Sequence, residues 1–269
     1  LHTNGGDITI TGSTAGGTGV WLYQGDVSSN GGDITIVGEG FHYGVQVWEN
    51  LVSSGSGDID ITGVASGAGA TGVNVRDAAL ASTSGSITVD GSAVNGSGIF
   101  FGGTAYGPGS SITTTSGAIS VISTGLSGLN VSDVPFTTDT GDITLQGTAL
   151  GDDFGLYVGA GGLSTNGGDI TIIGDSASDS GVWVNGGVIA SNGGDITITG
   201  DAGSTAFAYG VLINNGSSIT SGGGDVDIAA SSRPAWIERD TDILGARPLH
   251  GRTSFGDETL GAVLPDLPS

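Results

Sequence analysis

Thr3-Asn4-Gly5-Gly6-Asp7-Ile8-Thr9-Ile10-Thr11-Gly12 opens the chain, and its core is copied three times almost letter for letter. Asn30-Gly31-Gly32-Asp33-Ile34-Thr35-Ile36, Asn166-Gly167-Gly168-Asp169-Ile170-Thr171-Ile172 and Asn192-Gly193-Gly194-Asp195-Ile196-Thr197-Ile198 are the copies, and looser ones centre on Ile59, Ile87, Ile119, Ile143 and Val226. A repeat of this length decides the fold, because each unit must bury its apolar face against the next. The anchors Ile8, Ile34, Ile59, Ile87, Ile119, Ile143, Ile170, Ile196 and Val226 are spaced by 26, 25, 28, 32, 24, 27, 26 and 30 residues. Around each one, polar and aliphatic residues alternate strictly. A period of two describes a strand with one buried face.

Each copy holds two further apolar positions. A second alternating pair follows the anchor: Val20/Leu22, Val45/Val47, Val73/Val75, Ile99/Phe101, Leu129/Val131, Leu156/Val158, Val182/Val184 and Val211/Ile213, each preceded by glycine. A third position lies seven residues before every anchor: Leu1, Val27, Val52, Leu80, Ile112, Phe136, Leu163, Ile189 and Ile219. Only the connection from first to second strand varies freely, from 10 to 15 residues. Three short strands per turn in fixed register predict an all-β fold, a right-handed parallel β-helix of about nine three-strand coils. At the usual strand spacing the rod is about 43 Å long. Asn-Gly-Gly suits the constant corner, since both residue types accept left-handed backbone angles. The variable connections gather at another edge, where scaffolds commonly carry function.

The repeat covers residues 1–230. Residues 231–269 break the pattern, hold four of the six prolines and four of the five arginines, and still carry Trp236, Ile237, Leu244, Leu249, Phe255, Leu260, Val263 and Leu264. That is too apolar for a linker, so a C-terminal cap or strap is expected. The absence of methionine and the start at Leu1, an inward position, suggest a piece excised from a longer chain.

The formal net charge is −22, from 27 acidic residues against five arginines and no lysine. Nucleic acid is a poor partner for such a surface. No apolar run is long enough for membrane insertion as a helix. There is no cysteine, so the core does not depend on disulfides. The Gly-Gly-Asp-Ile-Thr-Ile and Gly-Val-x-Val units over residues 1–230 resemble the repeat regions of bacterial filamentous-haemagglutinin-type adhesins and related secreted β-helix proteins. The resemblance implies secretion, an extracellular or cell-surface location and a part in adhesion or matrix. None of that family's functional residues has a counterpart here.

Three outward features carry candidate chemistry. Asp7, Asp33, Asp58, Asp142, Asp169, Asp195 and Asp225 form a column, interrupted at Ser86 and Ala118. A cation such as Ca²⁺ would suit it, and no other cofactor is called for. The plainer reading is that each Asp bonds its own turn amides. Thr9, Thr35, Thr88, Thr144, Thr171 and Thr197 form a threonine column of the kind ice-binding β-helices use, but its companion column is mixed. Finally, alternation turns Trp21, Tyr23, Trp48, Phe100, Tyr157 and Trp183 outward as a surface aromatic strip, suited to carbohydrate or to self-assembly, either lateral or head to tail.

Asp152-Asp153, in a variable loop beside Phe154, are the candidate paired carboxylates for glycoside hydrolysis. An anionic substrate would find only Arg76 in the coil body, and His2, His42 and His250 are scattered. The expectation is therefore an extracellular structural or adhesive rod rather than an enzyme. A polysaccharide hydrolase or lyase, and an ice- or glycan-binding module, are the alternatives.

Overall fold

The computed structural model describes residues 1–103, 109–203, 208–238 and 241–244, and the backbone of Thr253–Phe255. It is all-β, with no helix among the described residues, and every strand pairing is parallel. The chain winds as a β-solenoid, each strand bonding its equivalents one repeat before and after.

The first wall contains the strands Ile8–Ser13, Ile34–Gly40, Ile59–Arg76, Ile87–Gly102, Ile119–Gly125, Ile143–Ala149, Ile170–Ser176, Ile196–Asp201 and Val226–Ser231. Their register is the one the anchors imply: Ile8↔Ile34↔Ile59↔Ile87↔Ile119↔Ile143↔Ile170↔Ile196↔Val226. Eight pairings separate the nine strands, so eight full turns lie between Ile8 and Val226. The second wall pairs Val20↔Val45↔Val73↔Ile99↔Leu129↔Leu156↔Val182↔Val211. The third pairs Val27↔Val52↔Leu80↔Ile112↔Phe136↔Leu163↔Ile189↔Ile219.

These side chains make one continuous core in which nearly every member is sealed from solvent. Full burial of one such side chain contributes about 1.5–3 kcal/mol. Where rings replace aliphatics, Phe101 and Phe136 meet edge to face at 5.2 Å between centroids. The first coil has no neighbour below it: Leu1, expected to point inward, is 63% exposed, and Ile10 and Leu22 are only partly buried.

Two expectations change. Between first and second strands the chain does not always loop: Ile59–Arg76 and Ile87–Gly102 run as strand through that corner. There Ala65, Ala70 and Ala93 form a second small core, so the variable edge is partly built structure. Nor does the solenoid stop at 230. Ala235–Ile237 pairs with the second wall through Leu212↔Trp236 and Ile213↔Ile237, and Asp242–Leu244 pairs with the third through Ile219↔Ile243. Thr253–Phe255 pairs in turn with Ala235–Ile237. The segment expected to cap or strap the rod thus begins as another turn of it. The spacing signal failed because no Gly-Asp-Ile phrase announces that turn, while the backbone of the coil beneath was enough to template it. Leu249, Leu260, Val263 and Leu264 lie outside the described residues.

The corner before each anchor corrects the role given to its glycines. Asn30 (φ 53°) and Asn192 (φ 51°), with the first glycines Gly31, Gly167 and Gly193, take the positive angles. The second glycines Gly32, Gly57, Gly85, Gly117, Gly141, Gly168, Gly194 and Gly224 need no special angle. A Cβ on any of them would strike the carbonyl of its equivalent one coil earlier. A third requirement was unforeseen. Two residues after each third-wall position stands a hydroxyl: Thr3, Ser29, Ser54, Ser82, Thr114, Thr138, Thr165, Ser191 and Ser221. All but Thr3 are buried. Ser82, Thr114, Thr138 and Thr165 accept the N–H of the second glycine, as Thr165 Oγ1 does from Gly168 at 3.1 Å, and donate to the glycine carbonyl of the coil before. Ser29, Ser54, Ser191 and Ser221 donate to the glycine carbonyl of their own coil. This switch follows the backbone: Asn30, Gly55, Asn192 and Gly222, the residues directly after these four serines, have positive φ.

A charge placed in the ladder separates inside from outside. Ile170→Asp should cost several kcal/mol and lower the urea midpoint sharply, because an unpaired carboxylate would be buried, whereas Thr35→Asp on the outer face should shift it only slightly. The glycine column has its own test. Gly168→Ala should destabilise by about 1–3 kcal/mol through overpacking, while Gly16→Ala, where a Cβ meets nothing within 4 Å, should stay within about 0.5 kcal/mol; thermal melts of both variants measure the difference.

Candidate binding wall

The seven aspartates of the expected cation column sit outside the constant corner, in register. Each aspartate carboxylate with a coil directly above it bonds that coil. The Asp33 N–H donates to Asp7 Oδ1 at 3.0 Å, Asp58 to Asp33 at 2.9 Å, Asp169 to Asp142, Asp195 to Asp169 and Asp225 to Asp195 all at 2.8 Å. Ser86 N–H donates to Asp58 at 2.7 Å, and Ala118 N–H to Ser86 Oγ at 3.3 Å. The plainer reading therefore needs amending: the bonded amide belongs to the next coil, not to the aspartate's own turn. A charge-assisted bond of this kind is worth about 1.5–3 kcal/mol, against about 1 kcal/mol of repulsion between neighbouring carboxylates in water. Among the described residues no three His, Asp or Glu side chains come together as a metal-holding group.

The Asp152–Asp153 pair does not form a facing couple across a cleft. Asp153 Oδ1 accepts the Phe154 N–H at 2.9 Å, and its carbonyl accepts the Ser176 hydroxyl at 2.6 Å, so Asp153 holds its loop, while Asp152 is exposed. The threonines line the first wall's outer face, where Asp60, Ser120 and Asp227 fill gaps in their column.

The aromatic residues occupy the second wall, but they form two clusters rather than one strip. One outward column reads Trp21, Gln46, Asn74, Phe100, Asn130, Tyr157, Trp183, Leu212, Trp236. Beside it run Tyr23, Trp48 and Arg76 and, four turns on, Asn185 and, one further, Asn214. Tyr23 stacks between Trp21 and Trp48 at 5.6 and 5.5 Å, with Trp21 57% exposed and Tyr23 47%. The second cluster is Tyr157 against Trp183 at 5.2 Å, with Phe154 5.0 Å from Trp183. Between the clusters Arg76 lies over the Phe100 ring at 4.7 Å and donates from Nε to Asn74 Oδ1 at 3.2 Å.

Sequence reading noted Phe154 only beside the Asp152–Asp153 pair and left it out of the aromatic strip, because it belongs to a variable connection whose path is set only by folding. It also missed the amides. Trp183 Nε1 donates to Asn214 Oδ1 at 2.9 Å, and Asn185 Nδ2 to the Tyr157 hydroxyl at 3.1 Å. The register shows one more property. From Thr18 to Asn214, none of the outward positions just described carries a carboxylate, nor does the preceding column Thr18, Tyr43, Thr71, Ser97 and Ser127. On a chain of net charge −22, these outward columns of the second wall hold one charge, Arg76, and the carboxylates nearest them stand at its edges: Glu49, Asp77 and Asp133 directly after, Asp153 and Asp179 directly before.

Fold and wall together define a parallel β-solenoid with one aromatic–amide face whose outward columns hold Arg76 as their single charge. Compared with protein-family models, with curated proteins and with solved structures, the chain gives no match.

The aspartate column is testable by separating hydrogen bonding from cation binding. Asp169→Ala should lose about 1.5–3 kcal/mol of stability, while Asp169→Asn, whose amide oxygen still accepts, should recover part of it. A column that also holds Ca²⁺ would add a rise in melting temperature with millimolar Ca²⁺, reversed by EDTA. Calorimetry of both variants with and without Ca²⁺ reads the two contributions apart.

Proposed function

We propose that this chain is a structural or adhesive section of an extracellular rod, a surface or matrix component whose second wall is its contact surface. The observation that supports this most is the sorting of charge: carboxylates line the constant corner, the first wall and the edges of the second wall, while the aromatics and amides stand in outward columns between those edges that hold none. Aromatics that keep open surface, exposed at Trp21 and Tyr23 and half-buried at Trp48, Tyr157 and Trp183, are what interaction surfaces use. The likeness of the Gly-Gly-Asp-Ile-Thr-Ile units to secreted adhesin repeats agrees with this reading. So does the uninterrupted core, which makes a stiff, cysteine-free spacer. Catalysis has less support, since Asp153 is engaged in holding its loop.

Surface plasmon resonance tests the proposal on two supports, one bearing the chain itself and one bearing polysaccharide. Wild type should bind at least one of them, and the double variant Trp21→Ala/Trp183→Ala should bind about tenfold more weakly, with an unchanged melting curve. Release of new reducing ends from the polysaccharide, abolished by Asp152→Asn, would overturn the reading in favour of an enzyme.

A further inference from the structure

The Phe154–Tyr157–Trp183 cluster of the second wall has the chemistry of a particular ligand. Resting on the reading of this wall as a contact surface, we infer that Phe154, Tyr157, Trp183, Asn130, Asn185 and Asn214 bind an uncharged polysaccharide chain lying along the rod axis.

Charge excludes most other occupants. A polyanion needs basic partners, and the wall offers only Arg76, already engaged by Phe100 and Asn74. A polycation would be drawn to the aspartate column instead. A second copy of the chain would bring another −22, and like net charges oppose association. A neutral glycan meets none of these barriers.

The side chains present match what such a glycan displays. Sugar rings have apolar C–H faces and a rim of hydroxyls. The rings of Tyr157 and Trp183 are half-buried, so they retain open surface for stacking. Amides both donate and accept hydrogen bonds, as hydroxyl partners must. Asn130 follows Phe100 in the aromatic column, and Asn185 and Asn214 pair in the neighbouring column.

The cluster is also held ready. The Trp183–Asn214 and Tyr157–Asn185 hydrogen bonds fix both rings, and Phe154 packs at 66° to the Trp183 plane. Groups fixed before binding lose less entropy on binding. Finally, coils repeat at about 4.8 Å, close to the length of one sugar unit in an extended chain. Successive coils can therefore address successive sugars, which favours a polymer over a single sugar.

Native affinity electrophoresis provides the test, using gels cast with hydroxyethyl cellulose, galactomannan or mixed-linkage β-glucan, and a polygalacturonate gel as the anionic control. Wild type should be retarded by at least one neutral polysaccharide and not by polygalacturonate. Trp183→Ala should weaken that dissociation constant about tenfold, a loss of about 1.4 kcal/mol. Asn185→Ala should weaken it less, and Val94→Ala, an exposed side chain outside the aromatic columns, by less than about threefold. All three positions face outward, and melting curves confirm that each variant folds. If Trp183→Ala does not fold, Asn185→Ala and Trp183→Phe decide. No retardation in any neutral gel, equal retardation of every variant, or stronger retardation by polygalacturonate would overturn the inference. A wild type that sediments as a wall-dependent dimer yet ignores every neutral polysaccharide would uphold the contact surface and overturn the glycan.

Discussion

Vertical stacking of one strand on its own copy, about 4.8 Å away, is the constraint on which everything else in this molecule depends. It requires each position to tolerate itself as a neighbour. Aliphatic side chains do so inside, where Ile8 to Val226 form an unbroken ladder. Glycine does so at the corners, where the backbone of the adjacent coil occupies the space a Cβ would need. At Gly181, for example, a Cβ would stand 2.5 Å from the Asp201 nitrogen. The abundant glycine is thus less a sign of flexibility than of close approach. The column Gly12, Gly38, Gly63, Gly91, Ser123, Gly147, Gly174, Gly200, Ala230 departs from glycine twice, and at Ser123 the hydroxyl turns to the Gly128 carbonyl at 2.7 Å.

The same stacking exposes backbone groups at every corner, and two side-chain columns answer them. Inside, the Ser/Thr column bonds the glycine carbonyls and amides that the hydrophobic core cannot. Outside, the aspartates accept the N–H of the coil above. Buried polar backbone must find partners, so these columns are as much a part of the fold as the isoleucines. They also account for part of the charge of −22 on a chain with almost no basic residues: the carboxylates of Asp7, Asp33, Asp58, Asp142, Asp169 and Asp195 each accept the amide of the coil above.

What remains of the surface is sorted by wall. The first wall mixes threonine with aspartate, and the constant corner is acidic. The outward columns of the second, from Thr18 to Asn214, hold no carboxylate, and their rings form two clusters with Arg76 on Phe100 between them. Such a division leaves one face on which contact with an uncharged partner meets no electrostatic opposition. The rigid ladder beneath keeps that face in register along the rod.

Much of the fold was legible in the chain alone, since a period of two and a constant interval of seven residues are local statements about which side of a strand is buried. Ile34, Val45 and Leu80 are zero per cent exposed, as their spacing implied. The aromatic residues were recognisable as outward-facing for the same reason. Other features lay beyond any local pattern. Which rings meet depends on the path each connection takes across the stack, so that Phe154, in a variable connection, reaches Trp183 in the coil above. Whether Asp169 serves its own turn or the next coil depends on the direction its carboxylate takes across the gap. That residues 235–237 and 242–244 extend the rod depends on templating by the coil below, not on their own composition. The sequence by itself determined the repeat, its inside and its outside, because burial follows from periodicity. The tertiary structure alone decided the carboxylate-free columns and the ring clusters of the second wall, because those properties exist only between coils some 25 to 30 residues apart, brought together by stacking.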